Sequence, residues 1–271
     1  MILSAKMDQN RLSNAFLALV DLVEHLRGPG GCPWDARQSD STVKIYLLEE
    51  AYEVLEAIDR SSPEDVCSEL GDLLFQILFL AELAAEREEF DLLTVIERIQ
   101  EKMIRRHPHV FGETEIADAA HVEINWAKIK QTEKGSHINT SSLLKSIPKN
   151  MPGLLRAHRL SERASKAGFD WANANEVWDK VREECNELKS AISKNEKEAA
   201  GEEIGDLLFS IVNLARHCGL NAEQLLRMTN QKFTDRFERM EREIESSGIG
   251  LRDASTDKMN EAWERVKDRE E

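Results

Sequence analysis

The chain has 271 residues, 41% of them hydrophobic and 32% charged, with a formal net charge of −15. That balance excludes a disordered polymer, and the acidic excess argues against nucleic acid as the main partner, because a phosphate backbone calls for basic stripes. The length suits two domains, expected here as 1–135 and 136–271, and only 13 Gly and 6 Pro interrupt a chain rich in Leu, Ala, Glu, Lys and Arg, so the predicted fold class is all-α.

In chain order, a first amphipathic helix is predicted over 11–27, followed by the rigid loop Gly28-Pro29-Gly30-Gly31-Cys32-Pro33-Trp34-Asp35. Helices follow over 40–60, 63–87 and 91–106, and the Pro and Gly of His107-Pro108-His109-Val110-Phe111-Gly112 stop the last of them. A further helix is expected over 118–131, carrying Trp126 and Lys130, and the polar, aperiodic stretch 132–142 reads as a linker. Helices are then predicted over 153–167, 174–193, 196–217, 221–246 and 255–268.

Four cysteines, Cys32, Cys67, Cys185 and Cys218, form no C-x-x-C pair and read as reduced thiols. The opening Met1-Ile2-Leu3-Ser4-Ala5-Lys6 has no signal-peptide pattern, and the apolar stretch Leu73 to Ala85 is too short to span a bilayer. The expected setting is therefore cytoplasmic, without a membrane partner.

Five acidic residues occur twice at a constant offset of 134: Glu49, Glu50, Glu53, Glu69 and Asp72, then Glu183, Glu184, Glu187, Glu203 and Asp206. Their flanks repeat as well, Leu70-Gly71-Asp72-Leu73-Leu74-Phe75 answering Ile204-Gly205-Asp206-Leu207-Leu208-Phe209. Residues at i and i+3 share a helix face. Glu50 therefore stands with Glu53, Glu69 with Asp72, Glu184 with Glu187, and Glu203 with Asp206.

In each repeat the two pairs are centred on one residue, 61 or 195, so a helical hairpin turning there sets four carboxylates level. Ser61-Ser62-Pro63-Glu64-Asp65 supplies the chemistry of a helix start, and Asn195 with Glu198 resembles a capping box.

Four facing carboxylates repel one another unless a cation neutralises them, and hard oxygen donors suit Mg²⁺ or Mn²⁺ held together with substrate phosphates. The candidate metal ligands are Glu184, Glu187, Glu203 and Asp206, with Glu50, Glu53, Glu69 and Asp72 as a second set. Lys232 and Arg236, at i and i+4 on a later helix, offer charge for phosphates, and the same offset places Arg98 and Lys102 in the first repeat. Taken singly, such charges read as a solvated helix face, and duplication keeps residues without keeping function; the two gapless copies favour a site. Trp34, Trp126, Trp171 and Trp263 read first as core residues, although Trp263 could also stack on a base. No P-loop, no E-x-x-H and no zinc-type cysteine spacing occurs.

Together with Gly31-Cys32-Pro33-Trp34-Asp35, Arg105-Arg106-His107-Pro108-His109-Val110-Phe111-Gly112, Gly168-Phe169-Asp170-Trp171 and Lys232-Phe233-x-x-Arg236-Phe237, the acidic pattern resembles the MazG family of nucleoside triphosphate pyrophosphohydrolases. The resemblance covers nearly the whole chain. It implies a tandem of all-α NTP pyrophosphatase domains, a homodimer, Mg²⁺ dependence, nucleoside triphosphates as substrates and catalysis mainly in the second copy. It further implies that Lys180, Glu202, Lys232, Arg236 and Trp263 contact nucleotide, while Glu183 or Glu202 orients the attacking water. The rival expectations are a non-catalytic nucleotide-binding regulator and a base-selective, dUTPase-like hydrolase.

Overall fold

The computed structural model describes residues 8–112, 118, 122, 125, 126, 129 and 143–269. The helix expected over 118–131 and the linker over 132–142 lie largely outside the described residues. Among those described, every regular element is a helix, and the chain divides into two compact units, 1–137 and 138–271.

The first unit contains α1 (Gln9–Arg27), α2 (Asp40–Asp59), α3 (Pro63–Glu86), α4 (Leu92–Arg106) and the one-turn α5 (Pro108–Phe111). Its helix starts follow from local chemistry. Asp8 caps α1 by accepting from the Arg11 N–H at 3.1 Å, and Asp91 caps α4 by accepting from the Thr94 N–H at 2.8 Å. Ser39 and Thr42 close a capping box at the start of α2, and Pro63 occupies the first turn of α3. Helices α2 and α3 pack as a hairpin, with α1 and α4 laid against α3. The core is built on Val23, Val43, Leu78, Phe79 and Leu83, one to three residues from each of three helices.

The second unit contains α6 (Gly153–Lys166), α7 (Ala174–Ser193), α8 (Lys197–His217), α9 (Ala222–Ser246) and α10 (Thr256–Asp268). Helices α7 and α8 repeat the hairpin, and α6 packs on α8. Ala222, in the first turn of α9, joins Val212 and Ala215 of α8 in one small core. A separate core of Met240, Ile244, Ala254, Ala262 and Val266 joins the far half of α9 to α10.

The two hairpin turns share one backbone device. Ser61 and Asn195, equivalent by the offset, both adopt a left-handed conformation, with φ of 57° and 60°. In each turn the next N–H reaches back to a carbonyl five residues earlier, Ser62 to Ala57 at 3.3 Å and Glu196 to Ala191 at 3.0 Å, as in a Schellman stop. This corrects one expectation. Asn195 is not a capping residue, because the N-cap of α8 is Glu196, which makes no side-chain cap bond. The turn needs a residue that tolerates positive φ, and asparagine does so more readily than most.

Candidate metal centre

The hairpin geometry brings the repeated acids together. In the second unit, ligand atoms of Glu184, Glu187 and Glu203 lie within 4.8 Å of one another. Asp206, one turn beyond Glu203 on α8, is an electrostatic neighbour of this triad. In the first unit the corresponding close group is Glu50, Glu69 and Asp72, and Glu53 lies against it, bonded to Glu69 and repelling Glu50. All eight candidate ligands thus sit in two clusters, one per hairpin.

The clusters have the electrostatics of a cation site. Partial burial, then the facing carboxylates of Glu187, Glu184 and Asp206, push the Glu203 carboxyl above its ordinary range. Burial, then a bond and repulsion from Glu53, do the same to Glu69. Glu50 is raised by burial, Glu53 and Asp72, against a stabilising bond from Gln76. The donor set is all carboxylate oxygen on two facing helices, which fits a hard divalent cation.

Glu184 is only 4% exposed, and its charge is met by Lys180, one turn earlier on α7, at 2.7 Å. Lys180 also bonds Glu183 at 2.8 Å, and these two bonds raise its pKa. The signal for this contact is in the sequence, since Lys180 stands at i−4 from Glu184 and i−3 from Glu183. The offset places Tyr46 at the equivalent position, so the first cluster has no such cation. Glu202 is exposed on α8, beside Glu203.

The remaining candidates lie elsewhere in the second unit. Lys232 and Arg236 are on the middle of α9, and Trp263 on α10 packs against Phe233 at 5.3 Å between ring centroids. Among the described residues, α9 does not pack on α7, and α10 packs on neither α7 nor α8. The basic pair and its aromatic neighbours form an arm apart from the acidic hairpin.

The resemblance alone did not assign roles to the residues that hold the loop before α7. Asp170 accepts from Arg216 Nη1 at 2.9 Å and from His217 Nε2 at 3.0 Å, and these bonds, Arg216 first, lower its pKa to about 2. They fasten the Gly168–Trp171 loop to the end of α8. In the first unit Arg27 does the equivalent work with the charges reversed. It bonds Glu86 at 2.6 Å and the Asp35 carbonyl at 2.6 Å, with its guanidinium 5.2 Å from the Phe79 ring centre. A scan by offset misses this correspondence, because neither partner falls on its counterpart.

A tandem of helical hairpins, each closing on a set of carboxylates suited to a divalent cation, defines the class: an all-α protein built around paired acidic metal sites. Matching against protein families finds the MazG nucleotide pyrophosphohydrolase domain twice, over residues 38–111 and 174–240. The chain is 43% identical over 252 residues to a Thermotoga maritima protein named nucleoside triphosphate pyrophosphohydrolase/pyrophosphatase MazG, covering 93% of this chain and 95% of that one. It is 40% identical over 257 residues to a nucleoside triphosphate pyrophosphohydrolase of Escherichia coli K12, covering 93% and 97%. A solved MazG-related protein from Thermotoga maritima aligns at 30% identity with a TM-score of 0.38, over 42% of this chain and 98% of that one. The chain belongs to the MazG family.

Proposed function

We propose that this protein hydrolyses nucleoside triphosphates to nucleoside monophosphates and pyrophosphate, acting on cytoplasmic nucleotide pools as a Mg²⁺-dependent homodimer with Mn²⁺ as a substitute ion. The observation that carries the reading is the carboxylate triad of Glu184, Glu187 and Glu203, with Asp206 beside it, on facing helices of a MazG-family chain. Bound there, a divalent cation supplies charge neutralisation on phosphate oxygens and a lowered pKa for water.

The chain's own groups take the remaining roles. Glu184, Glu187, Glu203 and Asp206 hold the cation. Lys180 contacts a phosphate from the α7 side, Lys232 and Arg236 neutralise the distal phosphates, and Trp263 stacks on the base. Glu183, anchored by Lys180, or Glu202 orients the water. Its oxygen bonds to one of the two phosphorus atoms flanking the α–β bridge, the bridging bond breaks and pyrophosphate departs. The water's proton passes to that carboxylate. Residues 1–135 and 136–271 form two MazG-like domains, of which the second is the main catalytic copy; the set Glu50, Glu53, Glu69 and Asp72 is a second, non-catalytic cation site.

Exposed apolar side chains favour the dimer. Ile45, Leu48 and Leu55 stand 53%, 55% and 41% exposed on one stripe of α2, and Ile204, Leu208 and Ile211 repeat the exposed stripe of Leu70, Leu74 and Ile77. The test is a substrate panel, including dUTP, with and without Mg²⁺. Equimolar monophosphate and pyrophosphate are expected. Binding without turnover would establish a regulator instead, and turnover of dUTP alone would establish a base-selective hydrolase.

A further inference from the structure

The acidic hairpin and the basic arm of the second unit are separate bodies within one chain. Gly219 and Leu220 lie midway between Glu203 and Arg236, so an α9 folded flat along α8 would set these two residues level. The structure does not do this. Asp206 lies 11 residues before the end of α8, about 17 Å at 1.5 Å per residue. The core residue that α9 gives to α8 is Ala222, at the opposite end of α8 from the acids. The Leu155 N–H donates to Glu223 at 3.3 Å, pinning this same first turn to α6. Beyond it, the buried side chains of α9 are Met240 and Ile244, and both face α10.

Each body is left with a face that the other complements. The hairpin presents Glu187, Glu203 and Asp206, bordered by the exposed stripe of Ile204, Leu208 and Ile211. The arm presents Lys232 and Arg236 with Phe233 56% exposed, backed by Trp263 and stacked on Phe237. Acid meets base and apolar meets apolar only if the two faces come together. Within the chain, the anchored first turn of α9 holds the arm off the hairpin.

We propose that the nucleotide site is assembled from two copies of the chain: the α7–α8 hairpin of one protomer faces the α9–α10 arm of its partner. Resting on the roles assigned above, this makes the acids and the phosphate-binding cations of one site the property of different protomers. A two-fold dimer makes the exchange reciprocal, giving two composite sites. Between them the partner's aromatic cluster covers the apolar stripe of α8.

Crossed variants decide it. Glu203→Gln removes an acid and leaves the arm intact, and Arg236→Ala does the reverse. Each homodimer is expected to lose Mg²⁺-dependent pyrophosphate release. Coexpressed with two tags and purified as the mixed dimer, they should regain about half of the wild-type turnover, because one of the two composite sites is then whole. Lys232→Ala in place of Arg236→Ala repeats the cross with a second arm residue, and circular dichroism confirms that each variant is helical. A mixed dimer as inactive as its parents, or a fully active monomer, overturns the proposal. If either parent homodimer keeps near-normal turnover, the fault lies with the residue roles on which the proposal stands.

Discussion

The two units keep the same five acids and differ in what surrounds them. In the second, Glu184 is buried and neutralised by Lys180; in the first, Glu50 is half-buried and Tyr46 stands at the equivalent place. On the outer face of α2, Ile45, Leu48, Tyr52 and Leu55 are exposed, whereas the same offset on α7 gives Asp179, Arg182, Asn186 and Lys189. The first hairpin thus carries an apolar exterior suited to protein contact, and the second a charged one suited to water. A shared ligand set does not make two equal sites: a cation among the acids and a wet face are found in one copy only.

The sharpest way to break this comparison is to remove the acids from each copy in turn. Glu184→Ala with Glu187→Ala is expected to lower kcat/KM about a thousandfold, the order of effect seen when preorganised charge stabilisation is removed. Glu50→Ala with Glu53→Ala should leave turnover within about threefold, since surface substitutions away from a working site cost little. Pyrophosphate release at equal protein and saturating Mg²⁺ is the measurement. Equal losses would mean two working sites, or two that are coupled.

A smaller effect tests the cation. Lys180→Tyr gives the second unit the residue of the first. Loss of a charge-assisted contact to phosphate should cost about 10- to 100-fold in kcat/KM. The reciprocal Tyr46→Lys should not create activity by itself, because the offset puts Ser68 where the second unit has Glu202. Unchanged kinetics in Lys180→Tyr would leave Lys180 as a structural partner of Glu184 and nothing more.

Stability without metal compares the clusters directly. A carboxyl whose folded pKa is raised binds more protons folded than unfolded, so its contribution to stability falls as pH rises through the window above the ordinary value of 4.5 and returns as pH falls. Both Glu203 and Glu69 behave this way. Glu203→Gln and Glu69→Gln should therefore each raise the metal-free melting temperature at pH 7 by a few degrees. Stabilisation by added Mg²⁺ should shrink more in Glu203→Gln, where the site assigned to catalysis is damaged. A melting temperature that falls in both variants would show that the acids do not repel in the folded protein.

Much of this was legible in the sequence, for identifiable reasons. Helix bounds were readable where caps and breakers are local, as at Asp91, Ser62-Pro63 and Gly168. The acid clusters were readable because i, i+3 spacing and a symmetric turn fix which side chains meet. The left-handed turn at Asn195 was misread because a capping pattern and a positive-φ residue look alike in a single sequence. The separation of the arm from the hairpin was not readable at all. The spacing of Glu203 and Arg236 about Gly219 suits a flat hairpin, and only the anchoring of the first turn of α9 on α6 and α8 shows otherwise.

The smallest expected effect separates the loop clamps, which hold equivalent loops with reversed charges. In the second unit Asp170 is lowered to about 2 by Arg216 and His217; in the first, Glu86 is lowered from 4.5, chiefly by its bond to Arg27. A depressed carboxyl contributes stability that is present above its unfolded value and is lost as pH falls through its folded one. The ordinary value for Glu lies above that for Asp, so the Arg27 clamp begins to weaken at a higher pH than the Asp170 clamp. Trp34 and Trp171 lie in the two loops and report on them separately. In variants retaining only one of these tryptophans, acid titration should change the Trp34 emission first and the Trp171 emission nearer pH 2. Asp170→Asn should abolish the late transition at Trp171 and leave the Trp34 transition in place. Coincident transitions in all three proteins would mean that the units loosen as one body and that the clamps do not act independently.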